Sequence, residues 1–261
     1  MPALVLGVTG FLVAGVAAAQ TPEERGLEIA READAADSGW VDSVAQVEMI
    51  LRDRHGSESL RELEIRTLEG EEEGDKSLTL FQSPRDVRGT TLLTHSYRVD
   101  PDDQWLFLPA ANRVRRIATQ NQSGPFMGSE FAFEDLSSQE VEQFTYRYLE
   151  TEPCPQLDGT CYRVERTPVN EYSGYRRQEV WLDTEEYRID TIDYYNRRDE
   201  KLKTLTNSQF EQYEGQFWRP LESLMTNHQT GRSTLLRVTD MRFNTQLRAS
   251  DFEPGRLDRI R

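Results

Sequence analysis

The three histidines, His55, His95 and His228, are the imidazoles available for general base chemistry in 261 residues. They stand in separate segments, with no G-x-S-x-G, H-E-x-x-H or Gly-rich phosphate loop beside them. No nucleophile, zinc pair or phosphate cradle is therefore spelled out. His95, in "TTLLTHSY", has the best company for proton transfer of the three, but it reads as an ordinary strand residue. The carboxylates of "DPDDQ", Asp100, Asp102 and Asp103, are close enough to hold calcium, but the EF-hand glycine and distal glutamate are missing, so a solvated turn is expected. The run "EGEEEGD" reads as a charged hairpin tip. The last reactive pair is Cys154 and Cys161 in "CPQLDGTC". Its spacing is not C-x-x-C and neither cysteine has a histidine neighbour, which argues against redox and metal roles. In an oxidising compartment the pair reads as a disulfide clamping a hairpin, a closure that contributes about 2–3 kcal/mol. The expectation is a binding protein with no catalytic residue, no metal and no cofactor.

The elements that would carry a binding site are mostly strands. Residues 22–37 read as a helix, with Thr21 and Pro22 as its N-terminal signal and Gly39 as its stop. Beyond Gly39 the texture becomes period two, beginning with Val41, Ser43, Ala45, Val47, Met49 and Leu51. Turn signals then divide the chain into about ten antiparallel strands. The fold class is mainly β with a small α contribution: one curved antiparallel sheet curling into an incomplete barrel covered by short helices. A sheet of this kind is expected to keep one face dry and one wet. An irregular insertion at 119–138 interrupts the strands.

The insertion raises the main question of the sequence, because "QWLFLPAANRVRRIATQNQSGPFMGSEFAFEDL" puts many aromatics where the punctuation indicates a loop. Period two sets Trp105 and Phe107 on one face. They are expected to form a concave wall with Met49, Phe81 and Leu92. Phe126, Met127, Phe131, Phe133 and Leu136 would cover that wall, as a fixed plug or as a lid hinged at Gly124, Gly128 and Ser129. Arg113, Arg115 and Arg116 are in position to latch such a lid through Glu134 and Asp135.

Residues 4–18 are apolar, uncharged and too short to span a bilayer, and Ala17-Ala18-Ala19 has the form of a signal peptidase site. The expectation is export with cleavage after Ala19, leaving residues 20–261 as a single periplasmic domain. The net charge of −15 argues against nucleic acid as a partner and against adhesion to anionic lipid.

"DDQWLFLPAANRVRRI" followed by "GSEFAFEDL" resembles the signature of the outer membrane lipoprotein-sorting proteins, relatives of the periplasmic lipoprotein carriers LolA and LolB. The resemblance continues through "YRRQEVWLDTEEYRIDTIDYYNRRDEKLKTL", "RPLESLMTNHQTGRSTLLRV" and the closing "FEPGRL", covering residues 23–257. It implies an incomplete, eleven-stranded barrel around short helices, with an apolar cavity for acyl chains. It further implies a periplasmic carrier of lipid or lipidated protein cargo, often accompanying a membrane transporter of the RND type. The alternative is a structural adaptor subunit of such a transporter, with its interior permanently filled.

Overall fold

The computed structural model describes residues 20–70 and 73–260. The expected leader, residues 1–19, and Glu71 and Glu72 of the acidic hairpin tip lie outside the described residues. Helix α1 (Pro22–Ala36) starts at a capping box, in which Glu24 N donates to Thr21 Oγ1 at 3.1 Å and Thr21 N donates to the Glu24 carboxylate at 2.9 Å.

Thirteen strands follow: β1 (Asp42–Arg52), β2 (Glu58–Leu68), β3 (Lys76–Ser83), β4 (Thr91–His95), β5 (Asp103–Leu108), β6 (Arg113–Ile117), β7 (Phe144–Pro153), β8 (Thr160–Pro168), β9 (Tyr175–Asp183), β10 (Ile189–Asn196), β11 (Lys201–Tyr213), β12 (Phe217–Asn227) and β13 (Ser233–Phe243). The count exceeds both the ten of the periodicity and the eleven of the resemblance. Strands such as β4 and β6, of 5 residues each, are too short for alternation to define them firmly. All thirteen form one sheet in the order β6-β5-β4-β3-β2-β1-β13-β12-β11-β10-β9-β8-β7. Every neighbouring pair is antiparallel, and β1 closes against β13. The two edges are therefore β6 and β7, which are consecutive in the chain. Residues 118–143 must carry the backbone from one edge of the sheet to the other.

Helix α1 lies against β7. At Gly26 the approach is so close that a Cβ would stand 2.7 Å from the backbone nitrogen of Tyr148, which is why this helix position has no side chain. The disulfide Cys154–Cys161 closes the turn between β7 and β8, with a Cα–Cα distance of 4.9 Å. It clamps the hairpin that the spacing indicated.

The β3–β5 region departs from the expectation of one wet face. Phe81, Leu92 and Leu106 point to the concave side with Met49 and Leu63. Their neighbours Leu78, Leu80, Leu93 and Phe107 point the other way, and Trp105 packs beside them. That outer cluster is roofed by Phe252 and Leu257, from the 3₁₀ turns Ala249–Phe252 and Pro254–Arg259. The Asp42 carboxylate holds the tail in place, accepting from Thr245 N at 2.6 Å and Gln246 N at 3.1 Å. Trp105 and Phe107 thus belong to a sealed outer layer, a correction to their expected place in a concave wall. They do share a face, but it is the face opposite the insertion.

Because Phe252 is 1% exposed, Phe252→Ala is expected to cost about 3–5 kcal/mol in urea unfolding. A loss below about 1 kcal/mol would show that the C-terminal tail is not part of the core.

Candidate ligand-binding site

The insertion is tightly self-bonded where it crosses the concave face. Phe126 N donates to Phe131 O at 2.7 Å, Phe133 N to Gly124 O at 3.1 Å, and Pro125 bridges Ala132. Met127 turns the tip with a left-handed φ of 49°, next to Gly128 at 78°. The side chain of Phe126 is fully buried, with its ring centroid 5.6 Å from Phe81 and 5.5 Å from Phe133. Met49, Leu92, Met127 and Leu136 join the same cluster. Phe131 goes elsewhere and packs with Ile29, Val180, Ile192 and Tyr194 on the β8–β12 side, where Leu136 also reaches. The expected site residues thus fall into three groups. Seven fill the concavity of the β1–β6 half, Phe131 enters the other half, and Trp105 and Phe107 face outward.

The crossing is fastened by a buried ion pair. Lys203 Nζ donates to Asp135 Oδ2 at 2.6 Å, and both side chains are at most 5% exposed. Asp135 also accepts from Tyr175 Oη at 2.8 Å and from Ala132 N at 2.6 Å. The Lys203 ammonium donates to Glu130 O at 3.0 Å and lies 5.1 Å and 5.2 Å from the ring centroids of Tyr175 and Tyr194. Burial and the nearby Asp135 push the Tyr175 phenol well above its ordinary range, so it stays a donor. Glu134 accepts from Ser173 Oγ at 2.7 Å and Gly174 N at 2.9 Å, and burial raises its pKa.

The basic cluster of β6 does not meet Glu134 or Asp135, a correction to the expected latch. Arg116 pairs with Asp103, while Arg113 and Arg115 remain exposed on the edge strand. Glu134 and Asp135 reach forward to the far half of the sheet because the insertion has already crossed when they occur.

A cavity of about 960 Å3 opens in that far half, between α1 and strands β8–β12. Ile29, Ala33, Val164, Val180 and Leu182 give it an apolar wall, and Trp218 and Phe210 lie further along. Asp34, Asp75 and Glu140 line another side around Arg98. Burial, and then the charge of Asp75, push the Glu140 carboxyl up to about 7. None of the ten apolar site residues expected from the sequence lines this cavity. Sequence reasoning missed Val164, Val180 and Leu182 because their alternation is that of any half-buried strand. The spacing of Ile29 and Ala33 along α1 was the one hint that a helix face looked inward.

The residues first considered for chemistry are dispersed. His95 bonds the Phe252 carbonyl at 2.7 Å on the outer side, His228 meets Thr204 Oγ1 at 2.7 Å, and His55 sits by Arg54 at 3.0 Å. Asp102 accepts from Gln143 at 2.9 Å and Tyr97 N at 3.1 Å, whereas Asp103 turns to Arg116, so the "DPDDQ" carboxylates do not converge. Among the described residues no cluster of three potential metal ligands occurs, and no helix is long and apolar enough to cross a membrane.

Comparison with known proteins supplies relatives for this architecture. A family model described as an uncharacterized protein matches residues 73–259. A solved structure assigned as an outer membrane lipoprotein-sorting protein domain from Vibrio parahaemolyticus is 47% identical, with a TM-score of 0.88 over 90% of this chain and 99% of that one. A DUF1329 family protein from Desulfovibrio piger is 28% identical, with a TM-score of 0.84 over 91% of this chain and 99% of that one. A LolA superfamily protein from Nitrosomonas europaea, 20% identical, shares the fold with a TM-score of 0.69 over 87% of this chain and 97% of that one. Among curated proteins no match is found.

Lys203→Met would leave Asp135 buried and unpaired, and is expected to cost about 3–5 kcal/mol in urea unfolding. Asp135→Asn combined with Lys203→Met should cost less than the sum of the single changes, because it removes both charges together. Strict additivity in this cycle would show that the pair does not hold the crossing.

Proposed function

The chain belongs to the outer membrane lipoprotein-sorting protein family, of LolA-like fold, and on that premise we propose that it is a periplasmic carrier of lipid or lipidated protein cargo. The observation that carries this reading is the cavity of about 960 Å3 beneath α1, a size at which ligand sites are found. Its apolar wall suits acyl chains, each buried methylene of which contributes about 0.8 kcal/mol before the ordering costs of binding. The disulfide supports an oxidising compartment, and export by cleavage after Ala19 belongs to the same reading. Binding proceeds without covalent chemistry, since the histidines stand apart and none lines the cavity. A membrane transporter of the RND type is the partner to which such a carrier would deliver or from which it would collect.

The adaptor alternative draws on one observation, the filling of the β1–β6 half by Phe126 and its neighbours. A filled half does not compete with the carrier reading, because the open volume lies in the other half.

Ala33 faces the cavity from α1 and is only half-buried, so a larger side chain can be accommodated there without touching the filled half. Ala33→Trp is expected to lower the affinity for a fluorescent fatty-acid analogue by about tenfold while circular dichroism still reports a folded sheet. No binding by the parent protein would favour the adaptor, and unchanged affinity in the variant would put the fatty-acid site outside this cavity and overturn the assignment made here.

A further inference from the structure

Resting on the carrier reading, the geometry points to Arg166 as the anchor for an anionic head group, so that the cargo is an acyl chain bearing a carboxylate or phosphate. Arg166 lies on β8, lines the cavity and is only 7% exposed. A guanidinium carries five N–H donors and is not deprotonated in proteins, so burying one requires partners. Here the partners are neutral. Nε donates to Gln178 Oε1 at 2.7 Å, Nη2 donates to Gln139 Oε1 at 3.3 Å, and the group stacks 4.5 Å from the Phe144 ring centroid.

Among the described residues no carboxylate forms a salt bridge with Arg166, and Nη1 makes no hydrogen bond. The carboxylate whose field reaches it, Asp135, is already held by Lys203, Tyr175 and the Ala132 amide. Burial lowers the pKa of Arg166, the direction expected of a cation that lacks a counter-ion. The other charged residues of the cavity do not correct this. Asp34 and Glu140 gather around Arg98, Asp37 pairs with Arg219, and Arg188 with Asp183. Glu69 accepts from the Gly39 and Val41 amides, Asp75 from Gly70 N and Ser138 Oγ, and neither Glu185 nor Glu186 forms a salt bridge with Arg166.

The surroundings suit an amphiphile. Arg166 is paired with Gln178 across β8 and β9, and the next inward-facing rows along the same strands are Val164 with Val180 and then Tyr162 with Leu182. This apolar track runs about 13 Å from the guanidinium at the strand rise. A planar fork at one end of an apolar track matches a carboxylate or phosphate on an alkyl chain, and would bond it through two donors.

The test is calorimetric titration of the disulfide-intact chain with dodecanoate, dodecyl phosphate, dodecanol and inorganic phosphate. Both charged amphiphiles should bind at least about tenfold more tightly than dodecanol. A preference for dodecanoate would indicate a free fatty acid, and a preference for dodecyl phosphate a phospholipid head. Inorganic phosphate binding as tightly as dodecyl phosphate would overturn the amphiphile assignment. Arg166→Gln should bring both charged ligands to the level of dodecanol and leave dodecanol within about threefold of the parent, with Arg166→Lys intermediate. The selectivity of the parent protein needs no variant, so misfolding of Arg166→Gln would not blunt the test. Equal binding of all three alkyl ligands would overturn the anchor and leave the carrier reading standing. Absence of binding by any of them would overturn both.

Discussion

One topological constraint governs the molecule. The meander starts in the middle of its sheet, runs outward to β6, resumes at β7 on the opposite edge and returns to zip β13 onto β1. Because the two edges are consecutive strands, residues 118–143 have to traverse the concave face. A backbone crossing an apolar surface must bring its own hydrogen-bond partners. It does so through the internal bonds of 124–133 and through the buried Lys203–Asp135 pair, which fixes the far end of the crossing to β11. Such a pair contributes little net stability against an apolar substitute of the same shape, yet breaking it from one side is costly. Its value is positional, because it determines which half of the concavity is filled.

The cavity follows from that fastening. Phe126 enters the β1–β6 half and packs against Phe81, so that half is core. The insertion then passes over to β9–β11, and between its end and α1 the sheet remains uncovered. Gly26 lets the helix axis approach β7 closely, which sets the width of the opening on that side. The same geometry leaves a buried arginine facing the opening and collects carboxylates around Arg98, giving the cavity two chemically distinct regions.

Much of this was legible from the residues. The capping box of α1, the period-two strands and the cysteine pair each report a local rule, and local rules survive folding. The alternation of Ala45, Val47 and Met49 in β1 marked one buried face, although Val41, read as its first member, lies outside the strand and is exposed. The pairing of Trp105 with Phe107 was also sound, but alternation says only that two residues share a face, not which face. The clue was the continuous apolar run "WLFL", with adjacent apolar pairs in "TLLT" and "LTLF", since neighbouring apolar residues in a strand signal burial on both sides. Roofing by Phe252 and Leu257 depends on contacts across more than half the chain, and no local pattern announces it. The latch failed for a similar reason. Arg113, Arg115 and Arg116 are near Glu134 and Asp135 in sequence, whereas Lys203 is near them in space.

The central claim is that the insertion is a fixed part of the core and that the opening lies beside it. Native-state hydrogen exchange tests this most directly, because the amides of Phe126, Phe133 and Glu134 are donors inside the crossing. A fixed insertion predicts that these amides exchange only with global unfolding, at the same free energy as the amides of β1 and β13. Exchange of the three amides through a separate local opening, several kcal/mol below the global value, would contradict it and make the segment a lid.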